Sequence, residues 1–238
     1  AKYGSNDYKQ IAGNVHGPIS DAVSYSLTGL YLDREAERDL VSAERLLVAP
    51  AVSFELTPAT TLTALAYYQT DEVNGDTNGF LPVYGTLLPN PLGKIDPSTN
   101  LGDPNNRYER DQWSVGYELV HNFSDAVSFV SNLKLNDYEE DTPTGIYGGG
   151  GLVDDDFNGV PDDYRTVQQY NFSYREAVES LTTDNRFDFT LEQGPITHKI
   201  LAGFDYRKVE NKADFGFIFA NRIDLFNPVY APQATLEP

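Results

Sequence analysis

Apolar and polar residues alternate along this chain with a period of two, and nowhere is the spacing of an amphipathic helix sustained. From Trp113 one face carries Trp113, Val115, Tyr117, Leu119, His121 and Phe123. The other carries Gln112, Ser114, Gly116, Glu118, Val120 and Asn122. Leu181, Thr183, Asn185, Phe187, Phe189 and Leu191 form a second apolar row, and Ile196, His198, Ile200, Ala202, Phe204 and Tyr206 a third. Val48, Pro50, Val52, Phe54 and Leu56 form a fourth, Val23, Tyr25, Leu27, Gly29 and Tyr31 a fifth, and Val127, Phe129, Leu133 and Leu135 a sixth. Weaker alternation over residues 5 to 17 and 60 to 71 brings the expected number of strands to about eight.

The connections between these rows alternate short and long. GPISD (17 to 21), TPATT (57 to 61), NFSDA (122 to 126) and QGPIT (193 to 197) have the residue types of tight turns. Between them lie residues 34 to 44, 72 to 109, 139 to 179 and 211 to 238, rich in Gly, Pro, Asn and Asp and expected to be loops. A compact soluble domain seldom holds structureless loops beyond about 12 to 15 residues. An up-and-down transmembrane β-barrel has this asymmetry by construction, with short turns on one rim and long loops on the other. Strands of about ten residues, tilted by about 45°, also cover its apolar band of about 25 Å. The fold class expected is therefore all-β, an antiparallel up-and-down transmembrane barrel.

Charge decides what kind of barrel. Glu118, Lys134, Asp184, Arg186, Asp188, Glu192, Lys199, Asp205 and Arg207 all fall on the face opposite the apolar rows. Unpaired, they are intolerable in a dry core. A small barrel fills its interior with side chains, so these residues point to one wall of a wide, wet lumen. The chain has 36 acidic and 17 basic residues, a formal charge of -19, and no basic stripe, which argues against a nucleic-acid partner. It has no cysteine, so disulfides, thiolate catalysis and zinc-cysteine sites drop out. No apolar run reaches the length of a membrane-spanning helix. AKYGSNDYKQ at the start is no secretory signal and QATLEP at the end falls in a turn-rich stretch, so the chain reads as a piece of a longer protein.

Four phrases carry a family resemblance: VHGPISDAVSYSLTGLY (15 to 31), GFLPVYGTLLPNPLGKI (79 to 95), LAGFDYRK (201 to 208) and DLFNPVY (224 to 230). In that order they resemble the TonB-dependent ferric-siderophore receptors of the ferrichrome and hydroxamate type, over almost the whole chain. The resemblance implies a barrel of about 22 strands in the Gram-negative outer membrane. Residues 1–238 would be the N-terminal part of that barrel, without the plug domain and the C-terminal strands. It implies import of a ferric siderophore, driven by the TonB-ExbB-ExbD system acting through the absent plug, in a setting of outer-membrane lipid and lipopolysaccharide. It implies no enzyme and no cofactor. The family's aromatic loop residues map to Phe80 and Tyr147, with Tyr84 as a further candidate for ligand contact. The family's Tyr-Gly-Trp-Leu-Pro phrase corresponds to Asn78, Gly79, Phe80, Leu81 and Pro82, and its Tyr-Gly-Tyr-Gly phrase to Tyr147, Gly148, Gly149 and Gly150. These departures point away from ferrichrome itself as the ligand. Tyr31, Tyr68, Trp113 and Tyr138, near strand ends, are expected to anchor the membrane interface.

One motif stands apart. In DDDFNGVPDD, Asp154, Asp156, Asn158, the Val160 carbonyl and Asp162 have the spacing of a calcium loop, with Gly159 at its sharp turn. The twelfth position is Arg165 where a bidentate glutamate is required, so a solvated acidic loop competes with bound Ca2+. His16, His121 and His198 show no metal-ligand spacing. No nucleophile, base and acid set occupies a catalytic context. Two alternatives share parts of the pattern: a soluble, calcium-dependent β-sandwich for adhesion or carbohydrate binding, and a passive porin or a TonB-dependent receptor for a ligand other than a siderophore.

Overall fold

The computed structural model describes residues 1–76 and 79–233. They form one antiparallel sheet in the order β1-β2-β3-β4-β5-β6-β7-β9-β10, with β8 paired to β9. The eight long strands are β2 (Lys9–Ser20), β3 (Val23–Glu35), β4 (Ser42–Thr57), β5 (Thr60–Asn74), β6 (Arg107–Ser124), β7 (Val127–Thr144), β9 (Thr166–Gln193) and β10 (Ile196–Asp224). β1 (Lys2–Tyr3) and β8 (Ile146–Leu152) are short additions. Each long strand pairs with the next long strand in sequence, an up-and-down wall, and no second sheet packs on it among the described residues. That removes the β-sandwich alternative.

All four expected tight turns join neighbouring long strands on one rim. Gly194, in the last of them, takes φ 60°, a left-handed conformation open to glycine at little cost. The long connections lie on the other rim but are shorter than expected. β9 runs 28 residues and β10 runs 29, so most of 139 to 179 and all of 211 to 224 are strand. Outside strands, the described residues on that rim are 4–8, 36–41, 75–76, 79–106, 145, 153–165 and 225–233.

The pairing register confirms the faces. Leu62 lies opposite Leu119, Tyr117 opposite Leu133, Phe129 opposite Phe187 and Phe189 opposite Ile200, so the apolar rows share one side of the sheet. Even on interior strands the side chains there stay partly exposed: Leu27 is 42% exposed, Trp113 43% and Leu135 42%. So large a continuous apolar surface needs an apolar phase outside it. Near the short turns, Phe187 packs with its ring centroid 4.8 Å from that of Phe129 and 6.3 Å from that of Phe123, forming an aromatic girdle. Towards the loops, Tyr68 and Trp113 face each other across β5 and β6 as the second girdle, with the Tyr68 hydroxyl donating to Asp111 (3.2 Å). Tyr138 does not belong to it. It pairs with Gln112 and Val178 on the opposite, polar face, and its hydroxyl donates to Glu140.

The buried apolar cluster is correspondingly small. Ile95, Leu101, Val167, Ile223 and Leu225 form it beneath the 75–106 segment, above the membrane part of the sheet.

Candidate functional site

Above the second girdle the polar face of β7, β8, β9 and β10 becomes aromatic. On β9, Tyr170, Phe172 and Tyr174 occupy the same side as Asp184, and their partners on β10 are Phe219, Phe217 and Phe215. The Tyr170 ring lies 5.5 Å from Phe217 and 5.2 Å from Phe219, and Phe172 lies 6.2 Å from Phe215. Phe172, on interior strand β9, is still 37% exposed, so this row lines an open surface instead of filling a core.

Tyr147 joins this face because the register slips by one residue at Gly145. Thr142 pairs with Tyr174, but Ile146 pairs with Asn171 and Tyr147 with Tyr170. Without the bulge, the alternation set by Leu133 and Leu135 turns Tyr147 outward. Gly145 is required there, since a Cβ would sit 2.3 Å from the Phe172 carbonyl oxygen. With the bulge, the Tyr147 ring lies 5.6 Å from that of Tyr170. Gly149, where the family phrase has its second tyrosine, leaves room for the same ring: a Cβ there would lie 2.5 Å from Tyr170 Cε2.

Phe80 arrives from the other long loop. It bridges to Gly149 in parallel pairing, and Gly79 beside it lies so close that a Cβ would meet the Gly148 nitrogen at 2.8 Å. Phe80 and Tyr147 thereby line one cleft of about 710 Å³, together with Tyr108, Glu140, Phe172 and Tyr174. Buried amides hold the loop in place. Asn106 Nδ2 donates to the Ile146 carbonyl (2.7 Å), and the Ile146 N–H donates back to Asn106 Oδ1 (2.8 Å). Asn100 Nδ2 donates to the Asp39 and Gly75 carbonyls (2.7 and 2.9 Å), and Gln169 Nε2 to those of Leu101 and Gly102 (2.9 Å each).

Below the aromatic rings a charged row crosses the sheet: Arg45, Asp71, Arg110, Glu140 and Glu176 are successive partners. Asp71 is the buried member. Arg110 Nε donates to its Oδ2 at 2.9 Å and Gln69 Nε2 to the same atom at 2.6 Å, with Arg45 on its other oxygen.

The remaining sequence candidates lie elsewhere. Tyr84 is not in the cleft; its ring stacks edge-on against Tyr164 with centroids 5.5 Å apart, in a groove with Gly159 and Pro161. Asn78 lies outside the described residues. In the acidic loop, carboxylate oxygens of Asp154, Asp156 and Asp162 come within 4.8 Å of one another. Backbone N–H groups already engage the loop: those of Asn158 and Gly159 donate to Asp154 (3.2 and 2.8 Å), and that of Val160 to Asn158 Oδ1 (2.8 Å). Arg165, in the twelfth position, pairs with Asp224 at 2.8 Å. Arg222 ties the loop to β10 through both oxygens of Asp155 (2.5 and 3.0 Å) and holds that carboxyl below its usual range. His121 accepts a structural role, its Nδ1 2.7 Å from Thr60 Oγ1.

No family model matches the chain. Over 233 residues it is 29% identical to the ferrioxamine B receptor of Salmonella typhimurium, covering 97% of this chain and 32% of that protein. Over 222 residues it is 28% identical to the ferrichrome outer membrane transporter and phage receptor of Escherichia coli, covering 89% of this chain and 29% of that protein. The chain thus spans about a third of the length of the curated relatives it matches. Its backbone is similar to the ferric-catecholate import receptor of Escherichia coli in the open form, with a TM-score of 0.82 at 18% identity over 99% of this chain and 38% of that one. For the ferripyoverdine receptor of the outer membrane of Pseudomonas aeruginosa the TM-score is 0.81 at 18% identity, over 98% of this chain and 31% of that one. The chain is therefore similar in sequence to outer-membrane receptors and transporters for ferric siderophores, and its backbone has the fold of their barrel walls.

Proposed function

We propose that this chain forms the N-terminal part of the barrel of an outer-membrane receptor that imports ferric siderophores, without an enzymatic step. The observation that carries this reading is the aromatic cleft on the lumen-side face, lined by Phe80, Tyr108, Tyr147, Phe172 and Tyr174 where a chelate enters from outside. Aromatic faces give a bulky, largely apolar chelate shell a rigid contact area, and the tyrosine hydroxyls add hydrogen bonds to its oxygens. The names of the relatives similar in sequence support a hydroxamate as ligand. Energy would come from TonB-ExbB-ExbD through a plug domain, and the bare apolar face would meet lipid and lipopolysaccharide.

The direct test expresses the full reading frame in cells stripped of their own hydroxamate receptors and follows uptake of radioactive iron as ferrioxamine B and as ferrichrome. Saturable uptake that stops when TonB is deleted is expected. Linear, TonB-independent uptake would instead make the barrel a passive porin.

The convergence of Asp154, Asp156 and Asp162 favours a second, local reading, Ca2+ held by the acidic loop together with Asn158 and the Val160 carbonyl. Lacking a twelfth ligand, the loop would bind at best with a Kd on the order of 10⁻⁴ to 10⁻³ M, as extracellular modules do. Calorimetry on the receptor is expected to show this binding and its loss in Asp154→Asn. A flat titration of the unaltered receptor leaves an acidic loop ordered by its own backbone.

A further inference from the structure

We propose that the acidic loop modifies itself at Asn158, whose side-chain amide is lost when the backbone nitrogen of Gly159 closes a ring onto it. The siderophore reading of the cleft has no part in this. Three Asn-Gly pairs occur in the chain, Asn74–Gly75, Asn78–Gly79 and Asn158–Gly159. In such a pair the glycine nitrogen reaches the asparagine Cγ readily, because no Cβ beside it hinders the approach. Asn78 lies outside the described residues, and the other two pairs have opposite settings.

Asn74 ends β5 and is paired on both sides, with Ser42 on β4 and Arg107 on β6. Its Nδ2 donates to Glu72 Oε1 (2.9 Å), and the buried Gly75 gives its N–H to the Asn106 carbonyl (2.7 Å). A backbone fixed between two strands does not turn to close a ring.

Asn158 and Gly159 are exposed and belong to no strand. Gly159 takes φ 84°, with open space around it. The contacts of this pair supply what ring closure needs. The Gly159 N–H donates to Asp154 Oδ2 (2.8 Å), a carboxylate placed to take that proton. The Val160 N–H donates to Asn158 Oδ1 (2.8 Å), where negative charge develops as the nitrogen attacks. Asn158 Nδ2 donates to Asp156 Oδ2 (2.9 Å), which fixes the orientation of the amide.

Water is the only other reactant. The Gly159 nitrogen passes its proton to Asp154 and bonds to Asn158 Cγ. The Cγ–Nδ2 bond breaks, and Nδ2 leaves as ammonia with the proton that Asp154 returns. Water then opens the succinimide, at Cγ to give aspartate or at the main-chain carbonyl to give isoaspartate. Either product adds a negative charge beside Asp154, Asp156 and Asp162. Isoaspartate also lengthens the main chain by one carbon and breaks the turn that Asn158 makes with Val160. Asn158 is one of the oxygen donors in the Ca2+ reading of this loop, so conversion alters that site as well.

The test incubates purified receptor at neutral pH with a chelator and follows each asparagine by peptide mass spectrometry, with isoaspartyl methyltransferase labelling as the second readout. A synthetic peptide spanning the loop is the unstructured reference. We expect Asn158 to convert faster in the receptor than in the peptide, and Asn74 to stay intact over the same period. Asp154→Asn, which keeps an acceptor for the Gly159 N–H but no base, should slow conversion by about tenfold or more. Asp162→Asn, a charge change on the same loop that keeps an acceptor for the Asp155 N–H, should leave the rate unchanged. Conversion of Asn158 no faster than in the peptide overturns the inference. An undiminished rate in Asp154→Asn overturns it too, as does conversion of Asn74 at the rate of Asn158.

Discussion

Leu119→Arg is expected to destabilise the membrane-embedded barrel by about 2 to 4 kcal/mol, whereas Glu118→Arg next to it should fall within about 0.5 kcal/mol. Leu119 sits between the two aromatic girdles, opposite Leu62 on β5 and Ser131 on β7, on the face that meets lipid. A guanidinium there has no water and no partner. Glu118 points to the other side, opposite Thr63 and Asn132, where water already solvates charge. Depth should grade the effect. Ile200, four positions into β10 from the short turn, lies near the Phe187 girdle, and Ile200→Arg should cost about 1 kcal/mol or less because the side chain reaches the interface. Chemical denaturation of the receptor in lipid vesicles measures all three. Equal costs at Leu119 and Glu118 would mean that the faces are assigned wrongly or that no bilayer surrounds them.

These faces were legible in the sequence because a sheet between lipid and water must alternate, and the four tight turns were legible because two-residue connections demand Gly, Pro, Ser or Asp. Legibility ended where the bilayer ends. Above the girdles both faces of the sheet meet water, so Tyr174, Arg175, Glu176 and Ala177 show no hydrophobic period, and the upper halves of β9 and β10 read as loop. A signal was present all the same. Tyr170, Phe172 and Tyr174, like Phe215, Phe217 and Phe219, recur every second residue, in phase with the charged face instead of the apolar one. Phe80 and Tyr147 were found through the family phrases, but nothing local announced the bulge at Gly145 that turns Tyr147 inward. Nor does any periodicity mark Asn100, Asn106 and Gln169, whose partners lie far away in sequence. Tyr84, an aromatic beside the same phrase, packs on Tyr164 instead of facing the cleft, and no local pattern distinguishes it from Phe80.

That difference between Tyr84 and the cleft aromatics sets the sharpest test of the binding site. Phe80→Ala and Tyr147→Ala should each weaken ferric-siderophore binding by about thirtyfold, the effect of losing about 2 kcal/mol of aromatic contact. Tyr170→Ala should do at least as much. Its ring touches Tyr147, Phe217 and Phe219, so its removal also frees the neighbours that shape the wall. Tyr84→Ala, which removes a contact between two loops, should change affinity by about threefold or less. Tyr31→Ala, on the lipid side and opposite Leu46, should leave affinity unchanged and lower the amount of assembled barrel if it acts at all. Binding isotherms on vesicles, normalised to folded receptor, separate the two kinds of loss. If Phe80→Ala and Tyr147→Ala bind as tightly as the unaltered receptor while Tyr84→Ala does not, the chelate sits in the groove beside Tyr164. If none of the four loses affinity, the aromatic face is a wall past which ligands travel, and the binding contacts must come from parts of the receptor outside these strands.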